Sequence, residues 1–79
     1  MRPKLSSLSQ RARSAVRFLE RDYGQVDVRK IDGGQYACIV PMFNLYSEVR
    51  LCVRALGASP SLAITGAAWA DGWRFRGAR

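Results

Sequence analysis

The sequence predicts an α+β domain, a mainly antiparallel sheet with helices packed on one face, in the order α-β-β-α-β-β. Three observations carry this. The chain has 79 residues and is 48% apolar, enough for one modest core and too apolar for a disordered segment. Apolar residues recur with a helical period near its start. Two glycine turns, Asp32-Gly33-Gly34 and Asp71-Gly72, each stand between strand-like runs. Residues 1–79 read as a single domain, with 1–4 and 77–79 as flexible tails.

Each element follows from local chemistry. Ser7 and Gln10 fit a capping box, which satisfies orphan amides at a helix start. Leu8, Ala12, Ala15, Val16, Leu19 and Tyr23 then keep the helical spacing, and Gly24 supplies a stop. A helix over about 7–23 is expected. Val26 and Val28 alternate with Asp27 and Arg29, and Ile31 closes the run. The Asp32-Gly33-Gly34 turn then leads into a more apolar strand, Tyr36 to Val40, which Pro41 should end.

Residues 42–56 fit two periods. Met42, Leu45, Tyr46, Val49, Cys52, Val53 and Leu56 share one helical stripe, with Asn44 placed to cap and Gly57 to stop. Val49 to Arg54 also partly alternates as a strand does. The agreement of start, stop and period favours a helix. Beyond it, Ser59-Pro60 can open a helix. The Ala70-Asp71-Gly72-Trp73 turn instead favours two strands, 62–69 and 73–76.

Charge bounds the function. There are 13 Lys plus Arg against 6 Asp plus Glu, a net +7, which attracts an anionic partner such as nucleic acid or an acidic protein face. Eleven of the basic residues are Arg, whose planar fork grips phosphate or carboxylate; codon bias toward Arg, Ala and Gly explains that ratio equally well. There is no histidine, so neither a Ser-His nor a Cys-His pair exists. The carboxylates Glu20, Asp22, Asp27, Asp32, Glu48 and Asp71 are scattered, and Gly33-Gly34 lacks the Lys-Ser/Thr of a phosphate loop. Cys38 and Cys52 stand far apart, without metal-ligand spacing, and read as buried thiols rather than a disulfide. The expectation is no enzyme, no metal and no cofactor. The start, Met1-Arg2-Pro3-Lys4, leads into no apolar segment. The uncharged run 55–70 is broken by Pro60, two glycines and three Ser or Thr, so a soluble cytoplasmic protein without a membrane partner is expected.

The candidate binding residues are basic. Arg13, Arg17 and Arg21 stand four apart and line one stripe of the first helix. Phe18 lies off that helix's apolar stripe, either reaching outward beside the arginines or covered by another part of the fold. Arg50 and Arg54 join this surface if 42–56 is helical and both helices lie on one side. In a last strand, Arg74 and Arg76 alternate with Trp73 and Phe75, and at least one Trp should be core.

A stand-alone domain of this size, without catalytic or metal-ligating residues and with one basic face, resembles small phage-encoded inhibitors of the anti-CRISPR type. The resemblance is of general character, without a diagnostic motif. It implies a non-enzymatic protein that docks on a CRISPR effector complex, such as Cascade, in the cytoplasm of the host cell and stops target DNA from binding. Many such inhibitors are acidic mimics of DNA. A basic one would instead grip an acidic patch of a host protein or ribonucleoprotein complex, or the guide RNA or DNA. The rival expectation is a small DNA- or RNA-binding regulatory protein; a toxin-like nuclease is disfavoured by the missing histidine.

Overall fold

A computed structural model describes residues 8–74 as an α+β domain of two helices and a three-stranded antiparallel sheet. The order is α1 (Gln10–Tyr23), β1 (Asp27–Lys30), β2 (Tyr36–Phe43), β3 (Val49–Gly57) and α2 (Pro60–Ala70), with a tight turn at Asp32–Gly34 between the first two strands. The strands lie side by side as β1-β2-β3. The expected α+β class holds, but its order becomes α-β-β-β-α. Ser7, Phe75, Arg76 and the two expected tails lie outside the described residues.

α1 starts two residues later than the capping box suggested. Ser9 is its cap, its hydroxyl accepting from the Ala12 amide at 3.1 Å. It ends as expected at Gly24, whose φ of 80° only glycine adopts without strain, and whose N–H reaches the Glu20 carbonyl. β2 does not end at Pro41 but runs through it, pairing Pro41 with Leu51. β1 reaches only as far as Ile39. Beyond that point β2 has a neighbour on one side only, where a missing N–H costs no ladder bond.

The helix expected over 42–56 is instead a hairpin tip and β3. Asn44 caps a turn rather than a helix: its Oδ1 accepts from the amides of Tyr46 at 2.8 Å and Glu48 at 3.0 Å. Val49, Leu51 and Val53 then line up opposite Phe43, Pro41 and Ile39. β-Branched residues that have a partner strand to pack against favour the extended form.

The second hairpin is also absent, and α2 stands in its place. Ser59 caps it through the Leu62 amide at 3.2 Å, and Pro60 occupies the first turn. Its alanines are strong helix formers. The Asp71-Gly72 pair closes this helix instead of turning a hairpin. Gly72 has φ 96°, its N–H bonds to the Trp69 carbonyl, and the Trp73 N–H bonds to the Ala68 carbonyl. This is the Schellman pattern, which also wants an apolar residue after the glycine, and Trp73 is buried there.

Both helices share one core with one face of the sheet. That core joins Ala12, Ala15, Val16 and Leu19 of α1, Cys38 and Val40 of β2, and Ala63, Ile64, Ala67 and Ala68 of α2. α2 packs on the strands, whereas α1 packs chiefly on α2 and reaches β2. The helices run parallel, pinned at both ends. The Ser9 amide donates to Ser61 Oγ at 3.2 Å, and Tyr23 bonds Asp71 at the other end. At the β3–α2 corner a Cβ on Gly57 would stand 2.5 Å from the Ala63 nitrogen.

Gly57→Ala should therefore lower stability by about 1–3 kcal/mol, since the clash is with backbone that cannot swing aside. Urea unfolding measures it, with Gly66→Ala as the control. A Cβ at Gly66 would meet only Ala55, at an ordinary 3.6 Å, and the alanine is a better helix former.

Candidate binding surface

The arginines divide by what already holds them. Arg54 is the extra residue of a β-bulge, because Cys38 pairs with Ala55 and Ile39 with Val53. The bulge turns Arg54 toward the helices, where its Nη2 pairs with Asp71 Oδ1 and its Nε donates to Oδ2 at 3.4 Å. The Tyr23 hydroxyl donates to the same Oδ2 at 2.7 Å. One carboxylate thus joins the C-terminal ends of α1 and α2 to β3. Helix C-termini carry partial negative charge, so Asp71 is favourable there only with its cationic partner.

Electrostatics follow the geometry. The Arg54 guanidinium, and secondarily the Tyr23 hydroxyl, hold the Asp71 carboxyl below the ordinary carboxylate range against the opposing effect of burial. Tyr23 is raised, first by its hydrogen bond to Asp71 and then by burial. Burial pushes the Cys38 thiol up to about 11, so it remains protonated and unreactive. Cys38 and Cys52 are both unbridged.

Arg74 is held as well. Its Nη1 donates to the carbonyls of Trp73 at 2.7 Å and Trp69 at 3.2 Å, and its guanidinium stacks 3.5 Å from the Trp69 ring centre. Arg11, which the sequence did not single out, lies 5.7 Å from the centre of the Trp73 ring. Arg21 covers Phe18 at 5.1 Å and approaches Asp22 at 3.6 Å. Phe18 itself is half-buried against the core, so it takes the covered position of the two considered.

Arg13 and Arg17 differ. Both are exposed on α1, and among the described residues neither has a carboxylate partner. With Arg21 they form the stripe that the spacing predicted. Arg50 does not join them. It lies on β3 opposite Met42, beyond the last core residue of β2, on the hairpin end that extends past the helices. The expected merger of all these cations into one face is therefore replaced by a row on α1, a separate Arg50, and two arginines engaged within the fold.

The sequence reading missed a second surface. The hairpin tip exposes Phe43, Leu45 and Tyr46, and β3 exposes Val49, Leu51, Val53 and Leu56. The partial alternation in Val49 to Arg54 was the available signal.

Among the described residues no three of His, Cys, Asp and Glu converge to hold a metal ion, and no helix is long and apolar enough to cross a membrane. No protein-family model, curated protein or solved structure matches the chain.

Asp71→Asn should cost about 1.5–3 kcal/mol at neutral pH, the range for a lost hydrogen bond to a charged group. The folded carboxyl's affinity for protons is lowered, so its contribution is complete above the unfolded value of about 4 and disappears as pH falls through the lower folded value. Wild-type stability should consequently fall more steeply than that of Asp71→Asn below about pH 4. Chemical denaturation across acid pH measures both slopes.

Proposed function

We propose that the chain is a non-enzymatic binding protein whose α1 arginine row docks on an acidic surface of a host protein or ribonucleoprotein complex. In the specific form that the resemblance suggests, it is a stoichiometric inhibitor of the anti-CRISPR type, which occupies an effector complex such as Cascade and blocks target DNA binding.

The observation that carries the reading is the state of Arg13 and Arg17: exposed, one helical turn apart, with no carboxylate partner among the described residues. Guanidinium groups not committed to the fold keep their full capacity for bidentate pairing with carboxylate or phosphate. They lie on a helix fixed at both ends, so little backbone freedom is lost on docking. Their charge also steers encounter with a negative surface.

A DNA- or RNA-binding regulator is the second reading, favoured by the regular spacing of the row, which also suits a phosphate backbone. Phe18 argues against base stacking at this site, because its ring is covered by Arg21 and half-buried. An acidic protein face needs no stacking platform.

Reversing the row, with Arg13→Glu, Arg17→Glu and Arg21→Glu together, should leave the fold intact and weaken partner binding by roughly tenfold or more. Affinity capture from a host lysate with mass spectrometry should recover a defined protein complex with the wild type and lose it with the variant. Capture of nucleic acid alone, with an affinity that falls steeply as salt rises, would favour the regulator instead. Unfolding of the variant would assign the arginines to stability.

A further inference from the structure

We infer that the outer face of the sheet, opposite the helices, is a self-association surface covered in solution by the same face of a second copy. The strand register defines that face. Phe43 pairs with Val49, Pro41 with Leu51, Ile39 with Val53 and Ala37 with Leu56, and these positions alternate with the inward-facing Val40, Cys38 and Ala55. The bulge at Arg54 resets the alternation, which keeps Ala55 inside and Leu56 outside. No position in this run on β2 or β3 is charged.

The exposure is large for so small a protein. Phe43 is 68% exposed, Leu51 and Val53 58% each, Val49 55% and Leu56 51%. Leu45 and Tyr46 continue the apolar surface round the hairpin tip, at 98% and 82%. The five face positions expose roughly 500 Å² per copy, so two such faces meet the roughly 1,000 Å² that a specific interface needs. The interior is correspondingly thin, with alanines at Ala12, Ala15, Ala63, Ala67 and Ala68. A domain this small that leaves several large apolar side chains outside gains stability from oligomerisation.

Charge selects the occupant. A different partner for a +7 chain would be expected to meet cations, and this face offers none on β2 or β3. At its β1 margin Arg29 is matched by Asp27 at 3.6 Å. A second copy brings an identical uncharged strip, and a two-fold axis makes that strip self-complementary. Packed face to face, two sheets lie about 10 Å apart. The helices are then outermost, with one α1 row on each side of an α/β/β/α sandwich.

Sedimentation equilibrium across the micromolar range should give twice the 8.8 kDa chain mass. Association should tighten at high salt, which screens repulsion between two +7 chains. That is the opposite salt response to docking through the arginine row, and the row-reversed variant should still self-associate. Val53→Glu, and the milder Leu51→Gln, should weaken the dimer tenfold or more while circular dichroism shows the fold retained. The wild type also offers a readout without substitution: its urea midpoint should rise with protein concentration. A wild type that stays monomeric, with a concentration-independent midpoint, would overturn the inference. So would folded variants that remain dimeric, or a monomer whose bare face is instead occupied by a different protein.

Discussion

The architecture rests on a shortage of helix. The described residues, 8–74, supply two helices, and both are used on one side of a three-stranded sheet. α2 can lie against the strands because its contact residues are small, and because Gly57 lets β3 approach the start of α2 without a side chain between them. α1 then packs on α2 instead of crossing to the other side of the sheet. One face of the sheet is closed by this arrangement, while the other leaves its valines and leucines uncovered by the chain's own helices. The long exposed stripe of α1 carries the unengaged arginines. The two surfaces therefore share one cause.

The basic surplus overstates the charge available for binding. Arg54 is spent on Asp71, where it neutralises a carboxylate at the ends of two parallel helices. Arg74 closes the end of α2 through two carbonyls and a ring. Arg11 and Arg21 lie over Trp73 and Phe18. Guanidinium groups suit such work because they stay charged, stack on aromatic faces and donate in several directions at once. What is left for a partner on α1 is narrower than the net charge suggests, and better defined.

Legibility in the sequence followed how local each cause was. α1 was readable because its apolar period and Gly24 both act within a few residues, although its cap proved to be Ser9 rather than Ser7. The Asp32-Gly33-Gly34 turn was readable for the same reason. β3 was not, since Met42, Val49, Cys52, Val53 and Leu56 suit a helical stripe as well as a strand. The deciding factor is the presence of β2 beside it, together with the Asn44 turn that brings the strands together. α2 has no polar face to give a period, because its exposed side carries Leu62, Gly66, Trp69 and Ala70, so it looked like strand. Asp71-Gly72 suited either a hairpin or a helix end, because both want positive φ. Arg13, Arg17 and Arg21 were visible from spacing alone. The engagement of Arg54 by Asp71, 17 positions away, had no local signature.

The central claim is a division of labour: cations on α1 meet a negative partner, while the opposite side of the sheet stays out of that contact. Backbone amide chemical shifts during titration with poly-glutamate, a surrogate for an acidic protein face, test this most directly. Among residues 8–74 the changes should concentrate in α1 around Arg13, Arg17 and Arg21 and spare β3 from Val49 to Val53. Shifts spread evenly over helices and strands, or centred on β3, would contradict the division.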